Sequence, residues 1–427
     1  MKKIKLTALE RSWILYDIGN SAFILLVSTL IPIYFNALAT TGGLNESLYL
    51  SYWGYAGSVS TLLVAVIGPI CGTLADHRGF KKPIFMVCML LGVLGCAAMG
   101  VTAGWLAFLV VFVLAKVGYS SSLVFYDAML PEVTTDERMD TVSSMGYAYG
   151  YIGSVIPFIL CLLLVLFGDK IGIGAGTAMA VSFLITAVWW FVCTQPLLKR
   201  YRQTAFVEHG GNPVSSTFRR LRDTFREVRQ QKHIFLYLLA FFFFIDGVYT
   251  IIDMATAYGT ALGLDTTGLL LALLLTQFVA FPFAILFGRL SAAKDTGKLI
   301  KLCILAYTGI TLFAVFLKSQ WQFWVLAVLV GMFQGGIQAL SRSYLGKIIP
   351  PERSGEYFGL MDICGKGAAF LGTTLIAVIS QLTAGTTVHI FGQELQNESI
   401  AVGTLVILFA IGYVLFCKAD KLNKARG

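Results

Sequence analysis

The chain has 427 residues, of which 57% are hydrophobic and only 13% are charged. Soluble domains average about a quarter charged residues and about half apolar ones or fewer, so this composition excludes an ordinary water-soluble fold. The net charge of +9 does not indicate nucleic-acid binding, because the basic residues lie between apolar runs rather than on one soluble domain.

Apolar runs along the chain are long enough to cross the hydrocarbon layer as helices, which takes about 20 residues each. Twelve are predicted, at 12–39, 50–74, 83–103, 105–130, 141–168, 173–195, 233–258, 266–291, 298–318, 321–348, 356–382 and 399–418. The first run lacks a small-residue cleavage site, so we expect an uncleaved first span rather than a signal peptide. We therefore predict an all-α membrane protein with twelve transmembrane helices.

The distribution of Lys and Arg predicts the orientation, since positively charged loops stay in the cytoplasm. The connections at 40–49 and 384–398 contain neither residue, and Lys170 and Lys318 lie at the other outer turns. Both termini are therefore predicted to be cytoplasmic, in a multi-pass protein of the plasma membrane.

The longest polar stretch divides the predicted spans into two sets of six. We predict an N-terminal half at 1–195, a cytoplasmic basic linker at 196–232 and a C-terminal half at 233–427. Within the linker, 215–232 combines apolar residues at helical spacing with five arginines. This pattern is typical of a basic amphipathic helix on the inner leaflet, and a solvated linker helix is the alternative.

A weak internal repeat relates the two halves. At one constant offset, Pro131 corresponds to Pro350 and Gly153 to Gly372. Further matched pairs are Glu137 with Glu356, Gly146 with Gly365, Gly72 with Gly288, and Asp17 with Asp246. Parallel repeats are one of the standard plans of transporters. The repeat predicts two pseudo-symmetric six-helix halves.

Several segments carry a family resemblance. Residues 72–82, Gly-Thr-Leu-Ala-Asp-His-Arg-Gly-Phe-Lys-Lys, resemble the motif between the second and third spans of the major facilitator superfamily, although His77 and Phe80 depart from its usual spacing. The segments at 16–23, 246–251 and 334–344 resemble a poorly characterised branch of that superfamily, which includes fungal autophagy-related vacuolar amino-acid effluxers and bacterial permeases. The resemblance implies a major facilitator fold and a transporter that is not an enzyme.

The motif at 72–82 places charged residues at one end of the second span. Asp76 can accept hydrogen bonds there or face the N-terminus of a neighbouring helix. We expect Arg78, Lys81 and Lys82 to contact lipid headgroups, and we expect Asp76, Arg78 and Lys81 to form a gating cluster that breaks when the halves move. Positive-inside anchoring alone is the alternative, and it explains the lysines but not Asp76.

Charged residues also lie inside the predicted spans. Placing a charged side chain at mid-bilayer costs at least about 2.5 kcal/mol, so each of them is a candidate for a functional or structural role. Lys116 and Asp246 lie about halfway along the fourth and seventh spans. Asp362 and Lys366 are four residues apart on the eleventh span, which predicts an ion pair with a structural role. The other candidates for substrate or coupling-ion contacts are Asp17, Asn20, Gln338 and Arg342.

The resemblance implies that the first, fourth, seventh and tenth spans line a central cavity. Asp17, Lys116, Asp246 and Arg342 fall one on each of these spans. Such a cavity would suit a zwitterionic or anionic solute, with Lys116 binding a carboxylate or phosphate and Asp246 holding an ammonium or a proton. Two alternatives stay open, namely that Asp17 serves the N-terminus of its helix and that Arg342 braces the gate.

These observations predict a secondary active transporter that moves a small amino-acid-like or amphipathic solute by alternating access with ion or proton coupling. A Walker-type phosphate loop is absent from the sequence, and the eight cysteines have neither metal-ligand nor disulfide spacing. We therefore predict no cofactor and no metal, and we expect a monomer that contacts the bilayer and its solute but no nucleic acid. The alternatives are a receptor or scaffold on a transporter fold and, within transport, a drug or lipid exporter.

Overall fold

The structure is a computed structural model that describes residues 5–44, 46–208, 223–224, 226–383, 388–390, 393–395 and 397–426. Its described residues are almost entirely helical, and helices satisfy their backbone polar groups internally, as lipid requires. The first helices are α1 (Ala8–Ser28), α2 (Leu30–Thr41), α3 (Glu46–Ala75), α4 (Lys81–Ala98), α5 (Trp105–Ala128), α6 (Leu130–Val133), α7 (Asp136–Phe167) and α8 (Ala175–Arg200). The later helices are α9 (Lys232–Ala261), α10 (Thr266–Leu290), α11 (Thr296–Val315), α12 (Gln320–Ile348), α13 (Ser354–Leu382), α14 (Asn397–Gly403) and α15 (Leu405–Lys424).

The remaining regular structure is short. Single 3-10 turns form at Met99–Val101, Gly168–Ile171 and Pro351–Arg353, and the strands β1 (Val388–Ile390) and β2 (Gln393–Leu395) pair antiparallel. The hairpin was not predicted. Of the predicted linker helix, residues 223–224 and 226–230 are helical, and the rest of it lies outside the described residues.

Polar caps explain where several helices begin. Thr7 accepts a hydrogen bond from the backbone of Glu10, whose side chain bonds back to the Thr7 N–H, so α1 begins with a capping box. Asp265 and Asp295 cap α10 and α11 through the amides of the third helical residue. These caps satisfy amides that have no partner within their own helix.

The first predicted span is bent at Thr29. The axes of α1 and α2 differ by 41° there, and the Thr29 hydroxyl donates 2.6 Å to the Leu25 carbonyl oxygen. Among the described residues, eleven helices are long and apolar enough to cross a membrane, or twelve when α1 and α2 count as one bent span. This agrees with the twelve predicted spans.

The helices form two compact units. The first comprises 1–135, 149–221 and 350–359, and the second comprises 136–148, 222–349 and 360–427. Helix α7 therefore begins in the second unit and continues in the first, whereas α13 begins in the first and continues in the second. The division at 195 and 232 stays a prediction.

The two units use the same helix pairings. In the first, α1 packs against α8, α3 against α5, and α4 against both α5 and α8. In the second, α9 packs against α15, α10 against α12, and α11 against both α12 and α15. The pairings match one for one when α1, α3, α4, α5 and α8 are set against α9, α10, α11, α12 and α15. The repeat seen in sequence is thus also a repeat of packing.

Candidate functional site

A buried polar group lies where α3 ends and α13 begins, within the first unit. The carboxylate of Asp76 accepts hydrogen bonds from the backbone N–H groups of Gly355, at 2.8 Å, and Glu356, at 2.9 Å. These amides belong to the first turn of α13 and have no acceptor within that helix. Asp76 therefore caps α13 from a distant part of the sequence. The residues Asp76, Lys81, Glu132 and Ser354 are called the Asp76 cluster below.

Lys81 supplies the positive charge of this cluster. Its ammonium lies 2.7 Å from Glu132 Oε1 and 3.7 Å from Asp76 Oδ1, and it donates to Ser354 Oγ at 2.8 Å. The expectation that Lys81 contacts lipid headgroups is wrong, because its side chain is 0% exposed. Two carboxylates beside a buried ammonium supply the counter-charge that such burial requires.

Arg78 does not join the cluster. Its side chain is exposed, and its guanidinium carbon lies 5.2 Å from the centre of the Phe206 ring. The structure thus brings together two of the three predicted gating charges, Asp76 and Lys81. It also adds Glu132, which sequence reasoning missed, because Glu132 is 51 positions from Lys81 and no local pattern connects them.

The environment of Asp76 changes its acidity. Burial raises the pKa of Asp76 from its ordinary value of 3.8 to about 7, with Lys81 and the two α13 amides acting in the opposite direction. Loss of hydration disfavours the charged form more than these partners favour it. The Asp76 carboxyl therefore titrates near neutral pH.

Glycines allow the backbones of α3 and α13 to touch beside this cluster. A Cβ atom on Gly72 would fall within contact distance of the Gly355 carbonyl oxygen, and a Cβ atom on Gly359 would lie 3.0 Å from the Gly68 carbonyl oxygen. Small residues spaced four apart permit this close approach between helices. The contact leaves no room for a side chain at Gly72.

A second polar group lies at the start of α7, within the second unit. Asp140 accepts from Ser343 Oγ at 2.6 Å and from Thr296 Oγ1 at 2.6 Å, and it forms an ion pair of 2.7 Å with Lys347. We call Asp140, Thr296, Ser343 and Lys347 the Asp140 cluster. Sequence reasoning missed Asp140, since the predicted span began one residue later. The signal available was the hydroxyl-rich segment at 141–144 that follows it.

Arg342 lies beside the Asp140 cluster. Its Nε donates to Ser143 Oγ and its guanidinium also donates to the Ser143 carbonyl oxygen, both at 2.9 Å. The guanidinium carbon lies 4.4 Å from the centre of the Tyr147 ring, within cation–π range. Arg342 is 3% exposed. This placement favours the bracing alternative over a substrate contact, which stays a prediction.

Asp246 is wholly buried at the middle of α9. Its Oδ1 accepts from the backbone N–H of Gly372, at 2.9 Å, and from the Thr250 hydroxyl, at 3.2 Å. Its Oδ2 accepts no hydrogen bond from the described residues. The carboxylate therefore ties α9 to α13 through one oxygen and leaves the other available for a proton.

Lys116 lies at the middle of α5 and is half-buried. Its ammonium is 5.8 Å from the centre of the Phe112 ring, and that ring stacks on Trp53 with 4.6 Å between centroids. Lys116 belongs to the first unit and Asp246 to the second. A chamber shared by the two stays a prediction.

Asp17 and Asn20 are both buried and lie about one turn apart on α1. The Asn20 amide donates to the Tyr16 carbonyl oxygen at 3.0 Å and lies 3.4 Å from Asp17 Oδ1. The alternative that Asp17 serves the helix N-terminus is wrong, because α1 begins at Ala8 and the dipole effect is confined to the first turn.

The other predicted residues lie in the second unit. Asp362 and Lys366 form the predicted ion pair on one face of α13. Gln338 is half-buried on α12, one turn before Arg342. Among the described residues, no group of three or more His, Cys, Asp or Glu is placed to hold a metal ion.

Sequence relatives cover nearly the whole chain. Residues 8–424 match the family model described as vacuole effluxer Atg22 like. An uncharacterised MFS-type transporter, YxiO of Bacillus subtilis (strain 168), is 40% identical over 417 residues, which are 96% of this chain and 94% of YxiO. Autophagy-related protein 22-1 of Penicillium rubens is 28% identical over 273 residues, which are 57% of this chain and 45% of the fungal protein.

Solved structures share the architecture. The major facilitator superfamily transporter FucP, in its outward conformation, has a TM-score of 0.71 at 14% identity, covering 96% of this chain and 97% of its own. A bacterial homologue of the iron transporter ferroportin, in an outward-facing state, has a TM-score of 0.69 at 15% identity, covering 97% of this chain and 98% of its own. The predicted major facilitator fold is confirmed.

Proposed function

This chain belongs to the Atg22-like vacuole effluxer family of major facilitator superfamily transporters, and we propose that it moves a small zwitterionic solute by alternating access. It is a multi-pass membrane transporter and not an enzyme. The observation that carries the proposal is the pair of charges at mid-helix, Lys116 on α5 and Asp246 on α9. Burying such charges in lipid is costly, and a binding role explains why they are there.

The proposed solute carries both signs of charge. Lys116 would bind its carboxylate or phosphate. The Phe112 ring beside that ammonium, together with the Trp53 ring stacked on it, would suit an apolar part of the same molecule. Asp246 would hold an ammonium or a proton in the other unit. An amino-acid-like solute meets all of these requirements.

Asp246 is the proposed site of proton coupling. A proton on Oδ2 would neutralise the buried charge, and the two hydrogen bonds to Oδ1 would weaken because their acceptor would no longer be charged. Because one of those bonds comes from the backbone of α13, a change of charge at Asp246 would act on the contact between α9 and α13. Proton binding and helix movement would then be linked at one residue.

The Asp76 and Asp140 clusters are the proposed gate. Each joins a segment of the N-terminal half of the sequence to a segment of the C-terminal half, α3 to α13 in one and α7 to α12 in the other. Hydrogen-bonded charges and backbone contacts of this kind have two discrete arrangements, made or broken, rather than a continuous range. Alternating access would break and re-form both clusters in each cycle.

Replacing Asp246 with asparagine is expected to abolish accumulation driven by a proton gradient while leaving solute exchange intact. Asparagine keeps an oxygen for the Gly372 and Thr250 donors but cannot gain or lose a proton. Uptake into proteoliposomes with an imposed pH gradient measures the first activity, and counterflow without a gradient measures the second. Asp253→Asn, on an exposed position of the same helix, is the matched control. If Asp246→Asn leaves transport and its pH dependence unchanged, the coupling role is lost.

A receptor or scaffold on the same fold is the second candidate, and a drug or lipid exporter is the third. Opposite charges within the spans favour transport over a scaffold, which gains nothing from burying them. Solute flux in vesicles separates the first two, and a lipid carrier would transfer labelled lipid instead of soluble solute.

The proposed setting is the plasma membrane, with both termini cytoplasmic and the chain acting as a monomer. The absence of Lys and Arg from 40–49 and 384–398 supports the orientation. YxiO, which covers nearly the whole chain, comes from a bacterium, which supports a cell membrane over a vacuole. Cysteine labelling of either terminus from one side of sealed cells would test the orientation.

A further inference from the structure

The residues that follow α8 are tied to the loop between α3 and α4. We call residues 201–207 the strap. Gln203 accepts from the backbone N–H groups of Gly79, at 2.9 Å, and Lys81, at 3.3 Å, and its amide donates to the Ala75 carbonyl oxygen at 3.0 Å. The Val207 N–H donates to the Asp76 carbonyl oxygen at 2.8 Å. One glutamine thus bonds to the loop on both sides of Asp76.

The loop needs such support because its turn is tight and leaves amides unsatisfied. Gly79 has a φ of +81°, a left-handed conformation that glycine adopts without strain. Its N–H donates to Gln203, which supplies the acceptor. Loss of Gln203 would remove its hydrogen bonds to Gly79, Lys81 and Ala75, on both sides of Asp76.

Glu132 connects the strap to the Asp76 cluster. Its Oε1 accepts from Lys81 and from the Tyr201 hydroxyl, at 2.7 and 2.8 Å, and its Oε2 accepts from the Thr204 N–H at 2.6 Å and the Ala205 N–H at 3.0 Å. Burial, with the Glu132 carboxylate beside it, raises the pKa of Tyr201 above its ordinary value. The Tyr201 hydroxyl therefore stays a donor, and a single carboxylate serves both the strap and the cluster.

From these contacts we infer that the strap positions the gate: the start of the linker between the two sequence halves holds the α3–α4 loop in the geometry in which Asp76 caps α13. Gln203 is a positioning residue, since within the described part of the chain its hydrogen bonds go to Ala75, Gly79, Lys81 and Ala205 and not to α13 or to a proposed solute contact. The inference rests on the proposed gate.

Hydrogen exchange can test the positioning role of the strap without any solute. Gln203→Met removes the acceptor and keeps the length of the side chain. Amide exchange, followed by mass spectrometry on peptides covering 76–82 and 352–358, is expected to accelerate in both, by roughly threefold to tenfold, as the loss of one or two net hydrogen bonds implies. The second peptide is decisive, because none of the hydrogen bonds of Gln203 to the described residues reaches it and a local role would leave it unchanged.

Two further variants complete the test. Gln203→Glu keeps an acceptor for Gly79 and Lys81 but loses the amide that donates to the Ala75 carbonyl oxygen, and it is expected to restore protection in part in both peptides. Gln195→Met, at a glutamine whose amide donates within α8, is the matched control and is expected to change neither peptide. If Gln203→Met does not fold, Val207→Pro removes the N–H that donates to the Asp76 carbonyl oxygen and carries the same expectation.

The inference is overturned if peptide 352–358 exchanges at the wild-type rate in Gln203→Met, whether or not 76–82 accelerates. Because the measurement uses no solute, this outcome would leave the proposed transport function intact. Conversely, Gln203→Met could accelerate exchange in peptide 352–358 in a protein that shows no solute flux. That result would support the positioning role of the strap and contradict only the proposed transport function.

Discussion

Replacing Gly72 with leucine is expected to reduce solute transport at least about tenfold. In the structure the backbones of α3 and α13 touch at Gly72 and Gly355, so that even one added carbon would overlap the Gly355 carbonyl oxygen. Overpacking a close contact typically costs about 1–3 kcal/mol, and more when both neighbours are rigid backbone. Leucine would therefore hold the two helices apart and prevent Asp76 from reaching the amides of α13. Initial rates of flux in proteoliposomes measure the effect.

A graded series and a control separate this effect from general damage. Gly72→Ala should reduce the rate less than Gly72→Leu, since alanine adds a single carbon to the same contact. Gly309→Leu adds the same side chain on α11, where no atom of the described residues lies within 4 Å of the position that a Cβ atom would take, and should transport at the wild-type rate. Wild-type flux in Gly72→Leu would show that the α3–α13 contact is not part of the transport cycle.

The second large effect is a change in pH dependence at Asp76. The pKa of this carboxyl is about 7 in the folded protein against an ordinary value of 3.8. Between these values the folded state binds more protons than the unfolded state, so stability falls as pH rises. The contribution of Asp76 is fully present below about pH 4, is lost progressively up to about pH 7, and is constant above it. The wild-type protein should therefore have a higher Tm at about pH 5 than at pH 8 through this residue.

Two substitutions at Asp76 isolate this contribution. Asp76→Asn resembles the protonated acid and keeps one acceptor, so the part of the pH dependence due to this residue should disappear. Asp76→Ala leaves the amides of Gly355 and Glu356 without their acceptor and should lower stability at every pH, by about 1–3 kcal/mol. Thermal unfolding in detergent at both pH values measures these effects. The contributions of the other carboxyl groups to the pH dependence cancel when a variant is compared with the wild type. A pH dependence identical in wild type and Asp76→Asn would contradict the assignment.

Hydropathy predicts most of this fold because the bilayer imposes one length and one composition on every spanning helix. It does not predict the break at Thr29, since the apolar run continues through it. It also misplaces helix ends that extend into water. Helix α1 starts at Ala8 through its capping box, and α7 starts at Asp136, before the apolar part of the segment. Because the start of α7 was predicted too late, Asp140 lay one residue outside the predicted span and was not considered.

The site was predictable where partners are close in sequence. Asp362 and Lys366 pair because four residues make one helical turn. The sequence predicted that Asp76 could face the N-terminus of a neighbouring helix. It did not predict that this helix is α13, because that depends on tertiary packing. Lys81 was assigned to the membrane surface because it lies in a basic loop, whereas folding brings Glu132, 51 positions away in sequence, to within 2.7 Å of it. Whether Lys116 and Asp246 face one chamber stays a prediction.

Binding of a small solute through Lys116 is the central claim, and a thermal-shift screen of the purified protein tests it most directly. Amino acids, peptides, sugars, phosphates and lipids are compared by the rise in Tm that each ligand produces. We expect a zwitterionic or anionic solute to raise the Tm of the wild type and of Lys170→Ala, a control in which the lost ammonium also lies over a phenylalanine ring. We expect no rise for Lys116→Ala. A solute that stabilises Lys116→Ala as strongly as the wild type, or stabilisation by lipids alone, would contradict the claim.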